Sequence, residues 1–350
     1  MASLLDPARG GSVVPFTPPR CPHVRCRSSV PGAPFPWRRR GSYVRKCDGR
    51  VVQRFLCLSC HTSFSTQTFR FDYRLHNPFI HRIVFGHLVS KVTLRQAARL
   101  VGVTRKTVEL RMRRLGEHCR LFHAARLEGK QLAGVFQLDE AETFETDRRL
   151  KPVTMPVLIE RKTRFIVHTE NAPMPARGRL SPKRQARKLA LEAIEGKRVS
   201  GSRAAVKKCF EALARHRDVH QPLVVQTDRK VTYPGILKDV FGAHRVVHET
   251  SSSRLKRDGK NPLAPINHTL AMLRDGPSRL AQRTWANSKW RQRLAQHAWV
   301  YVVYRNYVRY RANHQKHATP AMFLGLESEP WLLRDLLRWS ARFPELLRVQ

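Results

Sequence analysis

The sequence predicts an α/β protein. Its largest part is a mixed sheet flanked by helices, preceded by a small metal-bound unit and by a helical unit. Three observations carry this. Short apolar runs of strand character recur between residues 135 and 250, with amphipathic helical stretches between them. Upstream, residues 77–122 read as helices joined by a short glycine-containing turn. Further upstream, four cysteines fall in two close pairs, the spacing by which two turns present thiolates to one ion.

The strands organise the chain. Residues 135–140 read V-F-Q-L-D-E and residues 223–228 read L-V-V-Q-T-D. Both are apolar and both deliver a carboxylate at the C-terminal end, Asp139 and Asp228. Strands this apolar lie in a sheet interior, where a carboxylate needs a reason. Either aspartate alone could serve the following turn. Two side by side make a site for a hard divalent cation, Mg²⁺ or Mn²⁺, which takes oxygen ligands. Glu140 adjoins Asp139 but points to the opposite face.

Residues 153–160 and 164–170 read as strands joined tightly through Arg161, Lys162 and Thr163, hence antiparallel neighbours. Residues 173–201 read as a long basic connection with a short helix near 188–195. Ser202 is expected to cap a helix with Val206, Cys209, Phe210 and Leu213 on one face. A helix over 234–241 and a strand over 244–250 follow. The order βββ-α-β-α-β-α is that of an RNase H-like fold. A last helical region opens at Pro265, a first-turn position. Asn267 and Arg274 stand seven residues apart, on one face after two turns. Gly276-Pro277 breaks that helix, and Trp285, Trp290, Leu294, Trp299 and Val303 are expected to pack inward.

The N-terminal third divides in two after a Gly-, Pro- and Ser-rich stretch, residues 1–18, expected to be disordered. Cys21-x4-Cys26 and Cys57-x2-Cys60 predict a zinc ribbon over 19–70, with Phe55, Phe64 and Phe69 packed over the metal and Arg38, Arg39 and Arg40 in a basic stretch between the pairs. So small a unit has too little core to stand alone, and Zn²⁺ would supply folding energy. Cys47 is a substitute ligand ranked below these four; Cys119 and Cys209 belong to the core. Residues 75–125 predict a helix-turn-helix. Thr93-x-x-Gln96 is a capping-box pattern and Thr104 caps the next helix. Arg105, Lys106, Arg111, Arg113 and Arg114 make that helix basic, as expected of one lying in a DNA major groove. An ordinary helical hairpin with a solvated basic face would read similarly.

Composition narrows the partners. The 350 residues hold 66 Lys and Arg against 26 Asp and Glu, a formal charge of +40. Such an excess opposes compact folding unless a polyanion neutralises it, and nucleic acid is the fitting one. No run is long and apolar enough to span a bilayer, and the N-terminus lacks the apolar centre of a signal peptide. A cytoplasmic, nucleoid-associated protein is expected, its cysteines reduced and free for metal.

Taken together, the segments Q-R-F-L-C-L-S-C, F-Q-L-D-E, V-V-Q-T-D, N-H-T-L-A-M-L-R and Y-R-N-Y followed by T-P-A span most of the chain. In them the sequence resembles bacterial insertion-sequence transposases that combine a zinc ribbon, a helix-turn-helix and an RNase H-like catalytic domain, the ISXO-like group. The resemblance implies a catalytic domain over 131–325, a helical tail over 326–350, and metal-dependent 3′-end cleavage and strand transfer on double-stranded DNA by a homo-oligomer. It implies no membrane and no small-molecule substrate. Asp139 and Asp228 take the first two positions of the acidic triad. Asn267 takes the third, where most members carry Glu, and Arg274 follows as the basic residue two turns on. Glu249 and Asp275 are rival carboxylates. A decayed or repurposed copy that binds DNA without cutting, and a nuclease that releases its product, are the alternatives.

Overall fold

The strand periodicity of the sequence becomes two sheets. The computed structural model describes residues 16–343 apart from 243–245, 253, 257, 282–284 and 313–316. The expected disorder of residues 1–15 and the strand positions His244 and Arg245 lie outside the described residues. The chain divides into two units, residues 1–78 with 338–350, and residues 79–337.

The first unit holds a three-stranded antiparallel sheet in the order β1 (Trp37–Val44), β2 (Val51–Cys57), β3 (Ser63–Ser65). β1 is exposed almost throughout, because only β2 backs it. Arg38, Arg39 and Arg40 of the basic stretch stand on this exposed strand. The core of this unit is Phe55, Phe64, Phe69 and Phe343 packed around the cysteines, with Phe16, Phe35 and Trp37 at its margin.

The second unit opens with three helices, α1 (Ile80–Val89), α2 (Leu94–Val101) and α3 (Arg105–Leu127). Both expected caps form. Thr93 and Gln96 exchange side-chain and backbone bonds at the start of α2, and Thr104 accepts the Thr107 N–H at the start of α3. Gly102 ends α2 in the left-handed conformation, φ +70°, the usual glycine stop.

The large sheet follows: β4 (Val135–Phe144), β5 (Pro152–Glu160), β6 (Ile166–Thr169) and the short β7 (Ala172–Pro173). Next come α4 (Pro182–Glu195), α5 (Ser202–His216), β8 (Leu223–Asp228), α6 (Tyr233–Phe241), β9 (Val246–Ser251), α7 (Ala264–Asp275) and α8 (Arg291–Val303). The strand order is β6-β5-β4-β8-β9, with β7 on the end of β5. β4, β5 and β6 run antiparallel; β8 and β9 join parallel to β4. This is the mixed sheet of the RNase H-like fold. All nine residues of β5 are buried, as for a strand covered on both faces.

Three local expectations are corrected. Ser202 is the first helical residue of α5, and Gly201 stands at the cap. The Ser202 hydroxyl instead donates to Glu140, 2.9 Å away. Residues 182–195 form a helix longer than expected, with none of its residues buried. Trp285 and Trp290 are 99% and 60% exposed; only Leu294, Trp299 and Val303 pack inward, because they share the buried stripe of α8. Among the described residues no helix is long and apolar enough to cross a membrane.

Candidate functional site

β4 and β8 pair in parallel through Val135–Val224, Phe136–Val225 and Gln137–Gln226. The pairing ends there, and the same offset carried two residues on would set Asp139 level with Asp228. Side chains two apart share a face, so the face is read from the glutamines. Gln137 Nε2 donates to Gln226 Oε1 at 2.7 Å, which puts both side chains on one side of the sheet. Asp139 and Asp228 follow them there. Both are half-buried.

The third residue comes to the same side through Gln137. Its Nε2 also donates to Pro262 O at 2.8 Å, and its Oε1 accepts the Ile266 N–H at 3.0 Å. The first turn of α7 is thus fastened to the rung directly behind Asp139, and Asn267 is the next residue. Asn267 is half-buried, while Ile266, Leu270 and Leu273 form the inner stripe of the helix. Arg274, two turns on, is half-buried too.

Of the rival carboxylates, Glu249 lies on the same face but two residues behind Asp228: it pairs with Gln226 and accepts from Gln226 Nε2 at 2.7 Å. Asp275 closes the far end of α7 and pairs with Lys91 at 3.1 Å. Eight residues at 1.5 Å each place it about 12 Å along the helix from Asn267. Glu140 faces the other side, where it accepts from Tyr233 and Ser202, each at 2.9 Å, and from Lys230 and Thr154. Burial pushes its carboxyl up, but the Lys230 ammonium and the Thr154 and Ser202 hydroxyls outweigh this and hold it below the usual range. It fixes Lys230, two residues past Asp228, to the sheet.

The two glutamines were not singled out from the sequence, although the signal was present. Both strands read Q-x-D, so two strands carrying the same pair at the same spacing place both pairs on one face. Two carboxylates and an amide oxygen would make an all-oxygen donor set, the kind that suits Mg²⁺ or Mn²⁺.

In the first unit Cys21, Cys26, Cys57 and Cys60 bring their sulfurs within 4.8 Å of one another. Cys21 and Cys60 are 3.6 Å apart, Cys26 and Cys57 3.8 Å. Four thiolates at 2.3 Å from a tetrahedral zinc stand about 3.8 Å apart, so the group is of a size that fits Zn²⁺. Ser28 and Ser59 join hydroxyls at 2.9 Å beside it, tying the two knuckles. Cys47 lies outside the group. Burial raises the Cys60 thiol, but the Thr62 hydroxyl and N–H, with the neighbouring thiols, bring it down to about 6.

Along α3, Arg105, Lys106, Arg113 and Arg114 are exposed. Arg111 is not; it is 7% exposed. It sits three residues after Val108 and four before Leu115, on the buried stripe. It is withdrawn from the set presented to DNA.

No family model matches the chain, and no curated protein sequence does. Solved structures similar to it include the Mos1 mariner paired end complex with Mn, with 12% identity and a TM-score of 0.23. That match covers 51% of this chain and 61% of the other, so the chain spans less than two thirds of it. The catalytic domain of Mos1 mariner transposase matches at 13% identity and a TM-score of 0.23, covering 55% of this chain and 91% of that one. At such distances the functional reading rests on the chain's own geometry.

Proposed function

We propose that the protein is a DNA transposase of an insertion sequence, cutting element ends to free 3′-hydroxyls and joining them to target DNA. What supports this most directly is the Gln137–Gln226 rung, to which the α7 turn of Asn267 is fastened and two residues beyond which both strands carry Asp139 and Asp228. In this reading Asp139, Asp228 and Asn267 hold one or two Mg²⁺ ions. When bound, the metal supplies Lewis acidity to the phosphoryl oxygens and a lowered pKa to the attacking hydroxyl.

The protein's own groups position and exclude. Gln137 and Gln226 lock the two aspartates in register. Arg274 donates to a phosphate beside the site. A water oxygen bonds to the phosphorus at the element end, the bond to the 3′ oxygen breaks, and the proton leaves to solvent. The freed 3′-hydroxyl then attacks a target phosphorus and displaces that strand's 3′ oxygen. Arg105, Lys106, Arg113 and Arg114 of α3, with the zinc-bound unit, hold the end DNA, and two or more copies bring two ends together.

Asn267 gives the triad two negative charges instead of three, which favours weaker metal binding and keeps the non-cutting DNA binder as the second reading. The experiment is end processing and joining of duplexes from the DNA flanking its gene, with Mg²⁺ or Mn²⁺. Asp139→Asn is expected to lower joining by at least about a thousandfold, as for loss of a group stabilising the transition state, with DNA affinity kept. Equal joining by Asp139→Asn defeats the proposal; binding without cutting by the wild type favours the second reading.

A further inference from the structure

Arg305 is 2% exposed, yet no carboxylate holds it. Its Nη1 and Nη2 donate to main-chain oxygens, Tyr310 O at 3.2 Å and Arg311 O at 3.0 Å. Its Nε is buried with no hydrogen-bond partner. It lies in a π-turn, Tyr304–Val308, that continues α8. Single π-turns are often found where a side chain must be re-aimed for function, and a buried unsatisfied donor calls for an explanation.

The groups around Arg305 are also basic. Arg164, in the β5–β6 turn with φ +60°, donates from Nη1 to His268 Nδ1 at 3.3 Å. Arg305 is pushed down to about 10 by burial, and Arg309, Arg164 and Arg311 push the same way against the lone opposing Tyr301. A guanidinium can only donate, so Nδ1 of His268 accepts from Arg164 and Nε2–H is left to donate outward. Arg164, Arg305 and Arg309 form no ion pair with a carboxylate among the described residues. A desolvated cluster of like charges is costly, and an anion would offset that cost.

Position says which anion. Asn306 in the same π-turn accepts the Ile166 N–H at 2.9 Å and donates to Ile166 O at 2.8 Å, fixing the cluster to β6. His268 follows Asn267 on α7. Phe136 pairs with Glu160, and the Arg164 N–H bonds to Glu160 O. From Asp139 to that rung is three residues, roughly 10 Å at strand rise. A nucleic-acid strand advancing about 3.4 Å per nucleotide covers this in about three nucleotides.

We propose that Arg164, Arg305, Arg309 and His268 form a socket for a backbone phosphate of the DNA strand being processed, about three nucleotides from the phosphodiester at Asp139 and Asp228. This rests on the transposase reading for the identity of the strand. Arg305 is the fixed charge beneath; Arg164 and Arg309, half-exposed, close over the phosphate, and His268 adds an N–H donor.

The test uses the full chain and binding as readout. Single phosphates of an end duplex are replaced one at a time by neutral methylphosphonate, and affinity is measured across salt concentrations. One position is expected to weaken wild-type binding about tenfold, the worth of a charge-assisted contact. In the Arg164→Gln/Arg309→Gln variant that position should lose its effect, and the slope of log affinity against log salt should fall by about one. Melting of the variant at the wild-type temperature shows that the fold is kept. An unchanged slope, or a phosphate effect that persists in the variant, overturns the socket. Because binding is read, the phosphate effect without any cleavage removes the enzyme and keeps the socket, whereas cleavage without the effect does the reverse.

Discussion

His123 shows how far single side chains are committed in this fold. It is fully buried, its Nε2–H donates to Val167 O at 2.9 Å, and its Nδ1 accepts from the Tyr307 hydroxyl at 3.1 Å. Accepting at Nδ1 requires the neutral ring. Burial first, and the charges of His168 and His216, bring its pKa down to about 4. His118, held by Leu336 O, is brought by burial to about 4, and His297, held by Leu88 O, by burial and Arg279 to about 3. In the unfolded chain each titrates near 6.5. Between that pH and the folded value the unfolded state binds more protons, so stability is full above pH 6.5 and falls as pH drops. The loss is about 1.4 kcal/mol per pH unit for each histidine, or on the order of 5 kcal/mol for the three between pH 6.5 and 5. Denaturant midpoints should therefore be clearly lower at pH 5 than at pH 7. His123→Gln keeps a donor and an acceptor without the titration, and its midpoint should vary less with pH; an equal dependence in both proteins would rule His123 out as a source.

Among the elements, the α3–α8 pair depends on Gly116. A Cβ there would meet Gln296 O at 2.3 Å and its carbonyl carbon at 2.7 Å, all backbone. Alanine gains up to about 1 kcal/mol of helix propensity. Overpacking against a rigid helix costs about 1–3 kcal/mol or more and wins. Gly116→Ala should lower the melting temperature; a rise would show that the helices stand farther apart. What was legible at this scale was local. Thr93, Gln96 and Thr104 sit within a turn of the N–H groups they satisfy, and the short apolar runs marked the strands of the large sheet. Ser202 was misread because its hydroxyl goes to Glu140, 62 residues away. Arg111 was misread because its charge drew more weight than its helical phase with Val108 and Leu115. The candidate site was half legible: the strand-end aspartates stood out, but the glutamine rung that joins β4, β8 and α7 is a tertiary contact. Only the repeated Q-x-D hinted at it.

At the scale of the whole molecule the two units are held by different means. The larger is an ordinary layered core, with β5 buried along its length. The smaller has a handful of aromatic rings around four sulfurs, and without a metal its centre would be unligated thiols. Structural zinc is worth about 10–16 kcal/mol apparent at neutral pH in small folds, more than so small a core supplies. A chelator should abolish the near-ultraviolet circular dichroism of the Phe55–Trp37 cluster, and zinc should restore it; an unaltered spectrum would mean that no metal holds this unit.

One helix gains nothing from the interior. α4 buries no residue, its Leu189 and Ile194 face water, and an ion pair from Lys151 to Glu195 at 2.5 Å anchors its end. Fourteen residues without a buried side chain are marginal as a helix, so this segment should unwind far more often than the buried sheet. Trypsin, which cuts after Lys and Arg, should nick the native protein first between Lys183 and Lys188, and bound DNA should slow that nick if polyanion lies along this basic segment.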